Sequence, residues 1–416
     1  MTKKPSRQEH KLNDLIPDLG SRGMDLSLNR IKDVLVELGK PCQSIPAIQI
    51  AGTNGKGSIA SFLQSALKIS GIKVGITTSP HLISWCERIC INNKKITTNE
   101  LINLIQEIRP ISKAYQLTPF ELIITCAFKY FDLNNVNIII LETGLGGRLD
   151  ATTAHPYRPL IAMGGIGFDH CEYLGNSLEE ITKEKAAIIT QGSIVISAEQ
   201  KSEVRNILEV VAREKNARLK WVEPLDKNWS LGIGGDIQRK NAAVAKSTLE
   251  ELFRLGFTIK DEEIKTGFEL AYWPGRLQKV FWNGLPILLD GAHNPHAAEE
   301  LAKERQTWKN QNHGIYWILA IQANKDAPSM IKCLVEPNDY VWLLKVPNHK
   351  SWSKESIVKY LPELSNKIFS CNNLGSTLED LFQRKAWEKS TPVIAGSLYL
   401  IGSILQSKKL EVRGKF

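Results

Sequence analysis

Short apolar runs alternate with amphipathic stretches over the first two-thirds of the chain, and this alternation predicts parallel α/β layering. The apolar runs at 48–51, 74–77, 136–142, 160–164 and 192–197 read as strands. Helical periodicity covers 28–38, 58–70, 98–109, 119–133, 177–188 and 203–215, and 241–256 reads as one more helix that Gly256 ends. The Pro-Gly pair within 272–278 interrupts the pattern, and the domain junction is placed there. A second alternation follows: strands 287–290, 315–321, 340–346, 367–370 and 393–396, separated by helices 295–308, 327–335, 354–360 and 376–387. Five strands separated by helices predict a smaller, Rossmann-like domain.

Size and composition narrow the function classes. A chain of 416 residues is too long for one compact core. No apolar run approaches the roughly 18 residues of a membrane span, so no membrane role is expected. The first ten residues are basic and lack a signal peptide's apolar stretch, and they read as a solvated tail. The seven cysteines are dispersed without a CxxC pair, which fits reduced thiols in a cytoplasmic protein. The net charge of +9 suits an anionic substrate, but the basic residues form no stripe, which argues against nucleic acid.

The strongest chemical signal is Ile48-Gln-Ile-Ala-Gly-Thr-Asn-Gly-Lys-Gly-Ser58, an apolar run entering a glycine-rich turn and then a helix. Such a turn aims backbone N–H groups and the positive end of a helix dipole at one spot, which suits a polyphosphate. Lys56 would supply a point charge and Ser58 a hydroxyl. The spacing is not that of a regular Walker A motif, and taken alone the turn is equally a plain turn. Glu142 ends an apolar strand and is placed to hold Mg²⁺ on ATP; Asp169 and His170 follow another strand, and Ser79 a third. Lys185 lies in Lys183-Glu-Lys-Ala-Ala-Ile188, whose spacing reads as a solvated helix face. Thr118-Pro-Phe-Glu121 reads as a capping box, with Phe120 packing. Asp290, His293 and His296 lie at a strand end with no partner at zinc-ligand spacing. Asn324-Lys-Asp326 is one residue short of a guanine-reading signature.

Taken in order, these segments resemble the folylpolyglutamate synthase/dihydrofolate synthase family of the Mur ligase superfamily. The resemblance runs nearly end to end: AGTNGKGS from Ala51, TSPHL from Thr78, TPFE from Thr118, LETGLGGRLDAT from Leu141, DH at Asp169, EKAAI from Glu184, PGRLQ from Pro274, DGAHNPHA from Asp290 and GSLYL from Gly396. It begins at Leu26-Ser-Leu-Asn-Arg-Ile31. Gly164-Gly165 depart from an expected Thr-Ser pair, Ala187 from a glycine, and the usual glycine-containing segment around 320–326 is missing.

The resemblance implies a mixed α/β fold with a P-loop-containing, Mur-ligase-like domain over residues 1–273, a linker at 274–278, and a Rossmann-like ligase domain over 279–416. It implies that Gly52, Thr53, Asn54, Gly55, Lys56, Gly57 and Ser58 hold the ATP phosphates, and that Asn241, Arg276, Asp290 and His293 contact the nucleotide. Ser79, Glu142 and His170 match Mg²⁺ ligands. Lys185 matches a lysine that the family carbamylates, serving a second Mg²⁺ and overturning the solvated reading. Thr118, Pro119, Phe120 and Glu121, with Leu149, Asp150 and Ala151, match dihydropteroate-binding segments. The implied reaction is ATP-dependent amide ligation of L-glutamate to dihydropteroate, or to the glutamate tail of a reduced folate, through an acyl phosphate, by a monomer. The alternatives are a Mur-type ligase acting on another carboxylate, or a P-loop ATPase.

Overall fold

The computed structural model describes residues 7–16, 27–308 and 313–412. The chain forms two compact units: the larger runs up to Gly232 and takes in 238–272, and the smaller comprises 233–237 and everything from Trp273. Each contains one mostly parallel sheet.

The larger unit's sheet has eight strands: β1 (Ala47–Ala51), β2 (Val74–Thr77), β3 (Ile89–Ile91), β4 (Lys94–Lys95), β5 (Ile138–Glu142), β6 (Leu160–Met163), β7 (Ile194–Ala198) and β8 (Arg218–Val222). Their order is β4-β3-β2-β5-β1-β6-β7-β8, with β3 alone reversed, antiparallel to both β2 and β4. β1, β5 and β6 are buried at every position, as near-continuous apolar runs require when both faces are covered. Ile50 lies opposite Glu142, and Ala51 opposite Met163. The carboxyl ends of β5, β1 and β6 are therefore flush, the edge where open α/β sheets take ligands.

Three helices around this sheet start with the same device. Thr97 with Glu100, Thr118 with Glu121, and Ser177 with Glu180 each form a reciprocal capping box that satisfies first-turn amides. The first of these, Thr98–Ala114, continues through Pro110 past its expected end. The helix Asp261–Leu270, which the apolar pattern did not announce, packs tightly on Lys56–Ile69; a Cβ on Gly267 would stand 2.4 Å from Ala66 Cα.

The smaller unit orders six strands β13-β12-β11-β14-β10-β9: β9 (Gln278–Trp282), β10 (Leu285–Leu289), β11 (Tyr316–Leu319), β12 (Tyr340–Leu343), β13 (Ile368–Ser370) and β14 (Val393–Ala395). Only β9 is antiparallel. Asp339, fully buried, anchors this unit by accepting from both terminal nitrogens of Arg305, from Trp317 Nε1 and from the backbone of Ile315 and Glu336.

Several expectations need correction. Residues 7–10 do not belong to a solvated tail: they open the helix Arg7–Leu15, whose Leu12 joins the larger core, because the apolar stripe lies beyond the basic stretch. Residues 1–6 and Leu26 lie outside the described residues. The helix expected over 376–387 is two, Leu374–Gln383 and Ala386–Lys389, broken where Lys385 takes a left-handed φ of 56°. The helices expected over 241–256 and 295–308 finish in 3₁₀ turns, Glu251–Leu255 and Glu304–Thr307.

Candidate active site

The phosphate loop follows β1. Gly52 (φ 146°) and Gly55 (φ 85°) hold backbone conformations that favour glycine. Space imposes the same choice: a Cβ on Gly52 would come within 2.9 Å of Gly164 Cα, and one on Gly55 within 2.4 Å of Asn241 Oδ1. Gly55 starts the helix Lys56–Ile69 with no side-chain cap, which leaves its first amides aimed at the loop. Lys56 Nζ folds back to donate to the carbonyls of Gly52 (3.0 Å) and Thr53 (3.2 Å). Ser58 Oγ is buried without a hydrogen-bond partner.

The loop is pinned to the segment after β6. Thr53 and Asn54 amides donate to the Gly165 carbonyl (2.8 and 3.1 Å). Thr53 Oγ1 donates to Gly167 O at 2.8 Å and lies 3.1 Å from the Gly167 amide, which donates to it. Gln200 ties the same segment from the other side, donating to Gly164 O and accepting from the Ile166 amide. A Cβ on Gly164 would sit 2.4 Å from Asn54 O, so the close approach of loop and strand end requires glycine there.

Around that loop stand the proposed ligands. Glu142 ends β5, is 4% exposed, and accepts from the Ser79 amide at 3.1 Å. Ser79 Oγ is buried and unpartnered. His170 takes φ 53° and starts the short helix Cys171–Leu174; its Nε2 lies 3.8 Å from Asp169 Oδ2. Lys185 is buried on the helix Leu178–Ala186 and donates to Gly52 O at 3.2 Å. The spacing-based reading of a solvated Lys185 is therefore overturned: its helix turns this residue inward, while Lys183 stays exposed beside Glu179. Burial, and then the nearby Lys56 charge, lower the Lys185 pKa to about 7, against the pull of Asp169 and Asp150. Asn241 is buried over Gly55 and donates to Gln238 Oε1.

The expected pteroate segments lie on two neighbouring pieces. Thr118 caps the helix Pro119–Leu133; Glu121 is buried and accepts from the Thr118 amide and from Arg30. Half-buried Phe120 lies against Gly144, in the loop after β5. In the same loop Asp150 is buried and accepts four hydrogen bonds from Gly144, Leu145 and Thr152. Leu149 is half-buried before it, and Ala151 opens a 3₁₀ turn after it. Beneath, buried Gln49 donates to Thr152 and Thr153 and accepts from Arg158, which also donates to the carbonyls of His155 and Ile188.

In the smaller unit Asp290 is half-buried and accepts from the amides of Leu277 (3.0 Å) and Ala292 (2.8 Å). Burial raises its pKa and adjacent Arg276 opposes that. His293 Nδ1 lies 2.7 Å from Gly291 O. His296 sits inside the helix Pro295–Lys303 rather than in the loop before it. Asp326 caps the helix Ala327–Leu334, which accounts for that acid without a nucleotide.

Comparison with known proteins identifies the family. Residues 276–407 match the family model described as dihydrofolate synthetase, C-terminal domain. The chain is 33% identical to a probable dihydrofolate synthetase of Schizosaccharomyces pombe, over 94% of this chain and 100% of that protein. It is 32% identical to the dihydrofolate synthase/folylpolyglutamate synthase of Bacillus subtilis, over 93% and 96%. The chain belongs to the dihydrofolate synthase/folylpolyglutamate synthase family. It is an ATP-dependent carboxylate–amine ligase, like the family's other members. Among solved structures, Mycobacterium tuberculosis folylpolyglutamate synthase complexed with ADP and AMPPCP superposes with a TM-score of 0.86 at 25% identity, covering 96% of this chain and 98% of that one. The Yersinia pestis bifunctional synthase complexed with AMPPNP and Mn ion gives 0.83 at 25%, covering 97% and 99%.

Against the family pattern, the departure at Gly164 has a steric reason in the contact with Asn54. The Thr53–Gly167 lock, Gln200 and the Gln49–Arg158 layer escaped sequence reasoning. Only the glycine spacing at 164, 165 and 167 hinted at a close backbone approach, and Gln49 within an apolar strand hinted at a buried polar partner.

Proposed function

We propose that this ligase joins L-glutamate to dihydropteroate, using ATP and Mg²⁺, and extends the glutamate tail of reduced folates by the same chemistry. The dihydropteroate reaction is favoured because the Schizosaccharomyces pombe relative at 33% identity is named a probable dihydrofolate synthetase. Tail extension is favoured by the Bacillus subtilis relative, named for both activities. The observation that carries the reading is the pair Ser79–Glu142 beside the phosphate loop. A buried hydroxyl without a partner next to a buried carboxylate suits a hard cation that also takes phosphate oxygens.

In this reading Ser79, Glu142 and His170 would hold Mg²⁺, which supplies charge neutralisation at the phosphates. Lys56 leaves its two carbonyls for the γ-phosphate and stabilises the charge that develops as the phosphoryl group passes to the pteroate carboxylate. The glutamate amine then attacks the acyl carbon, forming the amide and releasing phosphate. Lys185, whose burial favours the neutral amine, would add to CO₂ with loss of a proton, and the resulting carbamate would supply an anionic ligand for a second ion. Asn241 serves the adenine side, and Phe120 with 149–151 receives the pterin.

The domain division is 1–273, 274–278 and 279–416, supported by the change of compact unit at Trp273. The protein works as a cytoplasmic monomer; its cysteines are all free, as a reducing compartment requires. The deciding assay is ADP release with dihydropteroate or tetrahydrofolate, each with and without L-glutamate. Glutamate-dependent release is expected with dihydropteroate. ADP release independent of glutamate would instead make the protein an ATPase.

A further inference from the structure

We propose that Gln200 is a positioning residue for the ATP phosphates: its side-chain amide takes the place of a strand residue beside Gly165 and so holds the strand end to which the phosphate loop is bonded. The inference rests on the assignment of residues 52–58 to those phosphates. β6 and β7 pair in register up to Met163 and Ser197. Beyond that point the chain carries glycine at 164, 165 and 167, and a run so rich in glycine has the most conformational freedom to lose. The loop nevertheless depends on it. The amides of Thr53 and Asn54 both donate to Gly165 O, and Thr53 Oγ1 bonds both the carbonyl and the amide of Gly167.

Gln200, half-buried just past the end of β7, supplies the missing constraint. Its Nε2 donates to Gly164 O at 3.1 Å, and its Oε1 accepts from the Ile166 amide at 3.1 Å. In a parallel sheet a residue bonds in this way to the two residues flanking its opposite number, here Gly165. The side-chain amide therefore continues the β6–β7 ladder where the β7 backbone has left it. Nε2 also donates to the hydroxyl of Ser197, fully buried on β7, at 3.2 Å, which fixes the amide to the sheet. Gly165 is thus clamped from two sides, by Gln200 through its neighbours and by the phosphate loop through its own carbonyl. The task needs a donor and an acceptor on one group; a carboxylate offers acceptors alone and an aliphatic side chain neither.

The test titrates Mg·AMPPNP into the protein by calorimetry and measures initial-rate KM values for ATP and dihydropteroate, in Gln200→Leu and in Gln200→Glu. Gln200→Glu keeps the shape and the acceptor but sets a second acceptor against Gly164 O, so it separates the lost donor from lost packing. Both variants are expected to weaken AMPPNP binding and to raise the KM for ATP about tenfold, the scale of a misplaced binding group. The KM for dihydropteroate should not change. A purely structural role would instead lower kcat and leave both KM values intact; that outcome overturns the proposal, as does wild-type AMPPNP affinity in Gln200→Leu. A double-mutant cycle adds Thr53→Val, which frees Gly167 from the other side. The double variant should lose less than the product of the two single losses, because either change loosens the same segment. Losses that simply multiply overturn the route through that segment. Lys56→Ala keeps this inference apart from the assignment beneath it. If Lys56→Ala weakens AMPPNP binding while Gln200→Leu does not, only the role of Gln200 fails. If Lys56→Ala binds as wild type does, the phosphate-loop assignment falls and takes this inference with it.

Discussion

Two lysines meet on one oxygen: Lys56 and Lys185 both donate to the Gly52 carbonyl. Removing Lys56 takes away the charge facing the transferring phosphoryl group. Lys56→Ala is expected to cut kcat by about 10²–10³, as loss of one preorganised donor does elsewhere, with the melting temperature preserved. Near-normal glutamate-dependent ADP release would refute the assignment. His155 makes a separate prediction. It is buried, and its pKa falls to about 4, chiefly through burial, with the hydrogen bond to Ile45 opposing and Arg158 assisting. The folded pKa lies below the unfolded one, so between pH 6.5 and 4 the unfolded chain binds a proton that the native state refuses. Stability should therefore drop as pH falls through that window, by at most about 3 kcal/mol from this group. Urea titrations from pH 7 to 4 check it: His155→Gln should flatten the slope, and an unchanged slope would count against the buried neutral imidazole.

At the scale of elements, the phosphate loop and the end of β6 form one unit through Thr53, Gly165 and Gly167. Gly164→Thr, which restores a residue of the expected family pair, should collide with Asn54 O and displace the loop. A rise of about tenfold or more in the KM for ATP is expected, on the scale of a misplaced binding group, measured by initial rates at saturating dihydropteroate. A variant with wild-type ATP kinetics would mean that the strand end relaxes freely. Sequence pattern revealed the central elements because β1, β5 and β6 are apolar apart from Gln49 and Glu142, and helices around them carry capping boxes. It missed β4 and β8, edge strands whose lysines, arginine and half-exposed positions break any apolar run. It also missed β3 and β9, antiparallel partners whose pairing depends on a neighbour distant from helical alternation. Lys185 was visible only by resemblance, because a helix's charged residues look alike until packing decides which one turns inward.

For the whole molecule, each unit rests on its own buried core, and the smaller one has a charged centre. Asp339→Ala would leave Arg305, 4% exposed, without its bidentate partner. A loss of about 3–5 kcal/mol is expected for breaking such a pair, read as a lower unfolding midpoint in tryptophan fluorescence, since Trp317 bonds the same carboxylate. A midpoint equal to wild type would show that water or another group replaces the pair. The shared Gly52 carbonyl has one more consequence. If an incoming triphosphate draws Lys56 off that oxygen, the carbonyl is left to Lys185 alone for as long as that amine is not carbamylated, which would tie the arrival of nucleotide to a helix more than a hundred residues further along the chain.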